Sequence, residues 1–356
     1  MKDSQFAKLL IRWYSLNKRD LPWRETRDPY KIWISEVILQ QTRVVQGLPY
    51  YLRFLEQYPT LEVLANASEH QILRLWQGLG YYSRARNLHA CARHIYFDLN
   101  GKFPSHYRNL IKLPGIGDYT ASAIASFAFH QKIPVVDGNV LRVLARVFGL
   151  HVDIASQKGR NQFIQLAKVL IPHQHTHLYN QALMDFGAVQ CIPYNPKCDT
   201  CIFQDRCHAF AEGEQKSLPV KKKKIKVKER YFHYIVMQYR GKYLMKRRDE
   251  KDIWKGLYDF YLVEKNKCCS VDSLEEELLE KLLKQRGLLI KESEKYKHLL
   301  THQRIFAYFL LFQVKSGALV NELLEKGNWG LFSETEIREL PKPVLIKNYF
   351  EKEILI

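Results

Sequence analysis

The chain has 356 residues, enough for two or three domains that each bury a core of their own. Its 55 Lys and Arg residues outnumber its 37 Asp and Glu residues, and the net charge of +18 favours a polyanionic partner, with nucleic acid first among the candidates. No apolar run approaches the ~20 residues that span a bilayer, and the first residues lack the apolar core of a signal peptide. We therefore expect neither a membrane protein nor an exported one.

Helical periodicity runs through residues 4–212 almost without interruption. The amphipathic segments predicted to be helices cover residues 31–45, 68–77, 84–98 and 156–171. Ser68 and Gln71 have the spacing of a capping box, which marks the start of the second of these segments. Because no convincing strand is predicted in this half, we expect an all-α domain over residues 1–212.

Glu36 lies in the first of these segments, with Ile32, Trp33 and Leu39 as neighbours at helical spacing. A carboxyl group on a mostly apolar helix is partly desolvated, which raises its pKa and lets it keep a proton near neutral pH. Such a group is suited to general acid catalysis. The alternative is a glutamate that faces solvent on a surface helix. The polar residues 40–42 that follow offer amide and hydroxyl groups able to contact base edges.

A turn rich in proline and glycine precedes a helix of small residues that is predicted to start near Asp118. Pro114, Gly115 and Gly117 make the turn tight, and both glycines are able to adopt positive φ. Free backbone N–H groups at the start of a helix attract an anion such as a phosphate. The pattern predicts a phosphate-binding hairpin, with an ordinary turn between packed helices as the alternative.

Asp137 precedes a segment, residues 138–143, that is typical of a helix start, and an N-cap role is its simplest interpretation. Together with Glu36, however, it gives a pair of carboxylates of contrasting character. Cleavage of an N-glycosidic bond requires an acid that protonates the leaving base and an anion that stabilises the cationic sugar, and the pair fits that division. Their spacing does not determine whether they face one pocket.

Four cysteines occur close together, separated by gaps of six, two and five residues: Cys191, Cys198, Cys201 and Cys207. Four thiolates in so short a segment are suited to a soft metal centre. A structural zinc site is the alternative, but such sites usually combine two Cys-x2-Cys pairs, and here only one pair is that close. The spacing favours an iron–sulfur cluster in the loop 191–207.

Residues 213–230 are predicted to form a basic linker, since residues 213–228 carry seven Lys and one Glu. The lysine run at 221–224 is either a solvated tether or a source of salt-sensitive affinity for a polyanion. From residue 231 the pattern changes to β-branched and aromatic residues, at 231–238 and 304–314, with a hairpin turn at Arg240-Gly241 and a helix at 274–284. We expect an α/β or α+β domain with a mixed sheet over residues 231–356.

These motifs together resemble the helix-hairpin-helix DNA glycosylases. The resemblance rests on Leu-Pro-Gly-Ile-Gly-Asp-Tyr-Thr-Ala at 113–121, Val-Asp-Gly-Asn-Val at 136–140, Ser-Glu-Val-Ile-Leu-Gln-Gln-Thr at 35–42 and the cysteine spacing, and it covers nearly all of residues 4–210. Within this superfamily the sequence is most similar to the adenine DNA glycosylase family. The family implies excision of adenine opposite 8-oxoguanine or guanine in double-stranded DNA, and one 4Fe-4S cluster on the four cysteines. We expect a monomer in a bacterial-style cytoplasm, associated with the nucleoid.

The resemblance also implies roles for individual residues. Glu36 matches the acid that protonates adenine and Asp137 the carboxylate that stabilises the sugar cation, with Tyr119 and Asn139 at supporting positions. The residues expected to contact DNA are Arg24, Gln41, Thr42, Tyr81, Gly115 and Gly117. Tyr119 stands where the related endonuclease III-like lyases carry a nucleophilic lysine. Because a phenol forms no Schiff base, a monofunctional glycosylase is expected.

The C-terminal half resembles the family's Nudix-related recognition domain at residues 241–248 and 253–260. The acidic segment 273–281 lacks the Arg-Glu-x-x-Glu-Glu arrangement of a Nudix hydrolase, so no hydrolase site is expected. The family recognises 8-oxoguanine with a Phe-Ser-His loop, whose place is taken here by Leu300-Thr301-His302. Thr301 and His302 are the expected lesion-recognition residues, whereas Leu300 lacks the aromatic ring of phenylalanine.

Other functions stay open on the sequence alone. A thymine or uracil mismatch glycosylase, or an endonuclease III-like enzyme, would use the same scaffold, although residues 40–42 and the C-terminal domain favour the adenine-specific family. A non-catalytic DNA-binding module would use the hairpin only to hold phosphates. That last function predicts that a Glu36→Gln variant behaves like the parent protein.

Overall fold

A computed structural model describes residues 3–222, 227–249, 252–269, 274, 277–284 and 287–355. The chain divides into two compact units, one of Met1–Asn66 with Ala90–Lys223 and one of Ala67–His89 with Lys224–Ile356. Residues 67–89, which the sequence places in the helical domain, thus belong to the second unit. Within the described ranges no helix is long and apolar enough to cross a membrane.

The described residues before position 223 form helices and connecting turns, with no strand among them. The α-helices are α1 (Asp3–Asn17), α2 (Pro29–Ile38), α3 (Val44–Gln57), α4 (Leu61–Asn66), α5 (Glu69–Leu75), α6 (Ser83–Arg93), α7 (Tyr107–Leu110), α8 (Asp118–Phe127), α9 (Gly138–Phe148), α10 (Gln157–Leu170), α11 (Thr176–Val189) and α12 (His208–Ala211). A π-helical stretch, His94–Asp98, follows α6. The predicted all-α architecture is confirmed for these residues.

The helix boundaries follow the capping residues of the sequence. The predicted capping box at the start of α5 is present, with Ser68 and Gln71 bonding reciprocally. Ser156 caps α10 by accepting from the N–H of Gly159, as a helix at 156–171 requires. The single helix predicted over residues 31–45 is wrong: α2 ends at Ile38, and Gln41 adopts the left-handed conformation with φ of 56°. A left-handed residue interrupts helical hydrogen bonding, so the chain leaves the helix there and re-enters it at Val44.

An aromatic core fixes the position of α9 against α1 and α11. Phe6 stacks on Phe203 with ring centroids 4.7 Å apart, and Trp13 packs edge-on against Phe186 at 5.0 Å. Val140 and Leu144 of α9 are fully buried in the same cluster. Burial on this scale leaves α9 little freedom to move, so the side chains at its N-terminal end are held in place.

The second unit contains a mixed sheet with helices packed against it. Its elements are β1 (Lys228–Tyr239), β2 (Lys242–Arg247), β3 (Tyr258–Asp259), β4 (Tyr261–Lys265), α13 (Glu277–Lys284), β5 (Leu288–Glu292), β6 (Tyr296–Leu299), β7 (Gln303–Gln313), α14 (Gly317–Glu325), β8 (Trp329–Phe332), α15 (Glu334–Glu339) and α16 (Val344–Glu353). The strand order is β3-β2-β1-β7-β5, and β4, β6 and β8 pair with β1, β7 and β2, respectively. β1 and β7 run parallel, whereas β1 pairs antiparallel with β2 and β4.

The sheet confirms the main predictions for the C-terminal half. β1 is buried along most of its length, as expected for a central strand with neighbours on both sides. Arg240 and Gly241 have φ of 48° and 73° and close the predicted hairpin between β1 and β2. The predicted helix at 274–284 is described from Glu277 onward as α13. Ser273, Glu275 and Glu276 of the acidic segment lie outside the described residues.

Residues 67–89 are attached to the second unit by polar contacts. Arg247 Nη2 donates to Glu69 Oε1 at 2.8 Å, and Arg86 Nη1 donates to the carbonyl oxygen of Lys255 at 2.7 Å. The ring of His70 also packs edge-on against Tyr258. The partners are far apart in sequence, so periodicity within 67–89 could not have predicted them.

Candidate active site, cysteine loop and opposite cavity

The two carboxylates singled out in the sequence line one cavity of the first unit, about 690 Å³ in volume. Glu36 comes from α2, Tyr119 from the first turn of α8, and Asp137 from the position before α9. The other lining residues are Leu39, Gln40, Gln41, Asp118, Val136, Gly138, Leu141, Gln157, Arg160 and Ile164. The cavity therefore collects titratable groups from three separate helices.

Glu36 is buried, with only 6% of its surface exposed. Burial raises the pKa of the Glu36 carboxyl to about 7, against the opposing effects of a hydrogen bond to Tyr119 and the positive charge of Arg24. The sequence prediction of a desolvated glutamate is thus confirmed, and the solvent-facing alternative is excluded. A carboxyl group with this pKa is protonated in a large fraction of molecules at neutral pH.

Tyr119 joins the two carboxylates electrostatically. Burial comes first, followed by the negative charges of Glu36 and Asp137, and together they raise the pKa of the Tyr119 phenol well above its usual range. The hydroxyl consequently stays protonated and is able to donate a hydrogen bond to Glu36. The first turn of α8 places it in this position.

Asp137 caps α9 and faces the cavity at the same time. Its Oδ1 accepts from the backbone N–H of Val140 at 2.8 Å, and its Oδ2 accepts from Nδ2 of Asn139 at 2.7 Å. Burial raises the pKa of Asp137, while these hydrogen bonds lower it because they stabilise the charged form. The predicted N-cap role is confirmed, and it coexists with a position on the cavity wall.

Arg24 does not have the exposed position expected of a DNA contact. Its side chain is 7% exposed, and Nη2 donates to Oδ1 of the fully buried Asp185 at 2.9 Å. Arg19 donates to the same oxygen at 2.6 Å. The DNA contact of Arg24 stays a prediction: its guanidinium is held inside the unit, where its charge lowers the pKa of Glu36.

The rim of the cavity carries polar side chains from two segments. Gln41 is exposed, lines the cavity and has a left-handed backbone conformation. Nε2 of Gln40 donates to Thr120 Oγ1 at 3.3 Å, and Oγ1 of Thr42 donates to the carbonyl oxygen of Gln40 at 3.3 Å. Arg160, exposed on α10, also lines the cavity and was not identified in the sequence because helical periodicity does not reveal which cavity a surface residue borders.

The hairpin before α8 has the predicted shape with one difference. Gly115 adopts φ of 71°, as a tight turn requires, but Gly117 has φ of −96° and ψ of −179°, an extended conformation open to any residue. Gly117 is the N-cap of α8 and provides no side-chain cap. A Cβ added at Gly117 would meet nothing within 4 Å, so space beside the free N–H groups is open to an anion.

The four cysteines of the loop 191–207 line a small cavity of the first unit. Nη1 of the buried Arg146 lies 3.5 Å from Cys191 Sγ, and the N–H of Phe203 donates to Cys201 Sγ at 3.4 Å. Burial raises the pKa of the Cys201 thiol to about 11. Within the described residues, no three of these sulfurs gather within 4.8 Å of one another. A single zinc ion would bring its four sulfurs to about 3.8 Å apart, so the wider arrangement suits a larger group.

A second cavity, about 510 Å³ in volume, lies within the second unit. It brings together the loop 78–83, the segment 252–254 and the turn 298–303 between β6 and β7. Tyr81 is 41% exposed, with φ of 49°, and its hydroxyl hydrogen-bonds to Oγ1 of Thr301. His302 is exposed beside Thr301. The residue expected to contact DNA and the residues expected to recognise the lesion therefore lie on one cavity wall.

Comparison with known proteins identifies both halves of the chain. Residues 34–168 match the family described as HhH-GPD superfamily base excision DNA repair protein, and residues 233–352 match the NUDIX domain family. An adenine DNA glycosylase of Buchnera aphidicola subsp. Schizaphis graminum is 38% identical over 256 residues, which cover 72% of this chain and 74% of that protein. The chain belongs to the adenine DNA glycosylase family.

Other relatives support the same family and fold. The human adenine DNA glycosylase is 43% identical over 222 residues, which cover 60% of this chain and 41% of the human protein. A solved thermostable thymine-DNA glycosylase is 31% identical, with a TM-score of 0.55, and covers 59% of this chain and 97% of that one. An endonuclease III–DNA complex has a TM-score of 0.52 at 22% identity, which shows the shared fold alone.

In this adenine DNA glycosylase family member, Arg142 of α9 connects the carboxylate site with the cysteine loop. Its Nη2 donates to Asn139 Oδ1 at 2.9 Å and to the carbonyl oxygen of Gly187 at 2.6 Å, and its Nε donates to the carbonyl oxygen of Cys191 at 2.8 Å. Asn139 in turn donates to Asp137. A continuous chain of hydrogen bonds therefore runs from Cys191, at the start of the cysteine loop, through Arg142 and Asn139 to Asp137 and orients its carboxylate.

If Asp137 takes part in the reaction, Arg142→Lys should lower the single-turnover rate of base excision by about 10- to 100-fold, because Asp137 loses the alignment that this chain of hydrogen bonds provides. A lysine cannot reproduce the planar fork that serves three acceptors. Single-turnover kinetics with saturating enzyme would measure the rate. The conservative change at the exposed Arg12, Arg12→Lys, is the control and should have the parental rate. Equal rates for both variants would contradict a positioning role for Arg142.

Proposed function

We propose that this enzyme hydrolyses the N-glycosidic bond of adenine mispaired with 8-oxoguanine or guanine in double-stranded DNA. The observation that supports this most directly is the cavity shared by a buried Glu36, whose pKa is raised to about 7, and a hydrogen-bonded Asp137. The adenine must leave the base stack and enter this cavity, since its glycosidic bond is inaccessible inside the duplex.

Glu36 is the proposed general acid. Its protonated carboxyl transfers a proton to a ring nitrogen of adenine as the bond between the base and C1′ of the sugar breaks. The electron pair of that bond leaves with the base, and the added proton neutralises the charge that develops on it. Tyr119, which keeps its own proton, donates a hydrogen bond that holds the Glu36 carboxyl in position.

Asp137 is the proposed electrostatic partner of the cationic sugar. Departure of the base leaves positive charge on C1′ and the ring oxygen, and a carboxylate in a partly buried cavity stabilises that charge. A water molecule then adds its oxygen to C1′ and gives its proton to the ionised Glu36, which restores the acid. With a tyrosine at position 119 the site offers no amine there for a Schiff base, and the product is an abasic site with an intact strand.

The test is a strand-cleavage assay on a duplex with one adenine opposite 8-oxoguanine. After incubation with enzyme and treatment with hot alkali, the strand should be cut at the adenine, and without alkali it should remain intact. Absence of alkali-dependent cleavage would refute the function, whereas cleavage without alkali would refute the monofunctional mechanism.

The thymine-DNA glycosylase similarity supports one competing function, excision of thymine or uracil from mismatches. That similarity covers 59% of the chain. The adenine-specific relatives are matched over up to 72% of it. Parallel assays with adenine, thymine and uracil opposite guanine would decide between the two functions. Faster release of thymine or uracil than of adenine would favour the alternative.

The cavity of the second unit is proposed to recognise the base opposite adenine. Thr301 and His302 offer a hydroxyl and an imidazole at the exposed turn before β7, and Tyr81 offers a ring for stacking. The hydrogen bond between the Tyr81 hydroxyl and Thr301 holds the two side chains together. The family's motif has phenylalanine where this chain has Leu300. No aromatic ring at position 300 is therefore available to stack on the opposite base.

Thr301→Val should reduce the preference for 8-oxoguanine over guanine by about 3- to 10-fold, the magnitude expected for one or two lost hydrogen bonds. The change keeps the shape of the side chain and removes its hydroxyl. The measurement is the ratio of excision rates on the two mispairs. Thr335→Val, at an exposed threonine of α15 in the same unit, is the control and should leave the ratio unchanged. A ratio unaffected by Thr301→Val would contradict the assignment.

We further propose a 4Fe-4S cluster on Cys191, Cys198, Cys201 and Cys207, which fits their number, their soft ligand atoms and the separation of their sulfurs. Such a cluster supplies a rigid, redox-capable core that ties the loop together. Arg146 beside Cys191 contributes positive charge that suits a set of thiolates. The cysteines hold the cluster, and the carboxylates of the cavity carry out the reaction.

Cys198→Ser should abolish the broad visible absorbance of the cluster and lower the iron content, because one of four ligands is lost. Cys268→Ser is the matched control: Cys268 is exposed in the second unit and should be dispensable for iron. Iron analysis and visible spectroscopy of both variants provide the measurement. Stoichiometric zinc in place of iron in the parent protein would refute the cluster.

A further inference from the structure

Three potential metal ligands converge beside the cysteine loop but do not belong to it. Nε2 of His151 lies 2.8 Å from Oε2 of Glu214, and Nε2 of His208 lies 3.2 Å from the same oxygen. The three ligand atoms all lie within 4.8 Å of one another. His151 follows the end of α9, His208 begins α12 and Glu214 follows α12, so the group joins two separate parts of the first unit.

The hydrogen bonds of His151 determine which of its ring nitrogens faces Glu214. Nδ1 lies 2.9 Å from the carbonyl oxygen of Gly149, and because a carbonyl only accepts, Nδ1 carries the proton. Nε2 is therefore the ring nitrogen directed at the carboxylate oxygen of Glu214, 2.8 Å away. A proton on Nε2 or a metal ion bound to both atoms would satisfy this contact. A backbone carbonyl on Nδ1 is also the usual partner of a metal-binding histidine.

The backbone around the group leaves room for this arrangement. Gly149, the C-cap of α9, has φ of 67°, and a Cβ at that position would lie 2.6 Å from Cγ of His208. Glu214 is fixed by its own N–H, which donates to the carbonyl oxygen of Ala209 at 2.7 Å. His208 can occupy its position because residue 149 is a glycine. Glu214 is held in its position by the backbone hydrogen bond to Ala209.

We propose that His151, His208 and Glu214 bind a zinc ion. Two imidazoles and one carboxylate are a known zinc ligand set, and bond lengths near 2.0–2.2 Å in a tetrahedron separate adjacent ligand atoms by about 3.3–3.5 Å. The observed separations of 2.8 and 3.2 Å need to open by about 0.1–0.7 Å to reach these values. Water completes the coordination, since two of the three side chains are only partly buried and His151 is 52% exposed.

The bound zinc would fasten the end of α9 to the segment that leaves the cysteine loop. His208 directly follows Cys207, whose Sγ lies 3.4 Å from the carbonyl oxygen of Arg146 in α9. The zinc site is therefore a structural clip for this part of the first unit. It is separate from the carboxylate cavity, which none of its ligands lines, and its loss should leave the chemistry of excision intact.

The test is zinc binding by the full chain. The protein is used with its iron–sulfur cluster in place, as shown by the broad visible absorbance. Parent protein, freed of loosely bound metal with a chelator, should take up one equivalent of zinc in competition with a chromophoric chelator, and its thermal midpoint should rise. His151→Ala and the double variant His151→Ala/His208→Ala should weaken zinc binding by at least about 100-fold, since second-shell changes alone cost 10- to 100-fold. The visible absorbance should not change.

His94→Ala is the matched control, because His94 forms a comparable bond to Asp98 at 2.6 Å in the same unit without a second histidine. It should bind zinc as the parent does. Circular dichroism of each variant establishes that it is folded. Unchanged zinc affinity in the folded double variant, no zinc uptake by the parent, or equal loss of zinc in His94→Ala would overturn the inference.

Discussion

Glu36→Gln is expected to lower the single-turnover rate of adenine excision by about 100- to 10,000-fold, the usual contribution of a general acid. Glutamine has the same shape and hydrogen-bonding reach as protonated glutamate, but it has no proton to transfer. Binding of duplex DNA should remain within about twofold, because a neutral amide replaces a carboxyl that is itself largely protonated near its pKa of about 7.

The pH dependence of the parent enzyme provides an independent check. Because the protonated form of Glu36 is the active one, the excision rate should be full below pH 7 and fall about tenfold per pH unit above it, as the carboxyl with a pKa of about 7 ionises. The residual activity of Glu36→Gln should not show this fall.

Glu56→Gln, at an exposed glutamate of α3, is the control and should keep both the parental rate and the parental pH profile. A Glu36→Gln variant with parental excision would contradict the acid role and favour a non-catalytic DNA-binding protein. A parental pH profile that is flat between pH 6 and 9 would contradict the assignment of the proton to Glu36.

Asp137→Asn should lower the excision rate by about 100- to 1,000-fold, because the cationic sugar loses its carboxylate. The change separates the two roles of Asp137, the N-cap of α9 and the stabilisation of the cationic sugar. Asparagine caps helices about as well as aspartate, so α9 should keep its N-cap and the thermal midpoint should stay close to that of the parent. Single-turnover kinetics and thermal unfolding measure the two effects.

Asp28→Asn is the matched control for this variant. Asp28 is the N-cap of α2 and accepts from the N–H of Tyr30 at 2.9 Å, but it does not line the carboxylate cavity. It should retain parental excision. If Asp137→Asn lost activity only in proportion to a loss of folded protein, or if it excised adenine at the parental rate, the electrostatic role would be wrong.

The sequence by itself determined the features that depend on neighbouring residues. Helical periodicity, the capping box at Ser68, the hairpin turn at Arg240-Gly241 and the N-cap at Asp137 all follow from contacts within a few positions. The apolar neighbours of Glu36 likewise predicted its desolvation. The motifs around these residues carried the family resemblance, since they name specific residue types at fixed spacing.

Only the tertiary structure brought distant segments together. Glu36, Tyr119 and Asp137 share a cavity because the packing of α2, α8 and α9 directs their side chains to one place. The same packing buried Arg24 against Asp185, a partner that the sequence did not identify. Neither result is encoded in local periodicity, which specifies the face a residue occupies on its helix but not the element that packs against that face.

The allocation of residues 67–89 has the same cause. Their helical pattern is continuous with that of the preceding segments, and the sequence therefore placed them in the helical domain. Their side chains nevertheless bond to partners such as Arg247 and Lys255, more than a hundred residues further along the chain. Periodicity determined that α5 is a helix, whereas long-range packing decided which unit it belongs to, because burial depends on partners that adjacent residues do not specify.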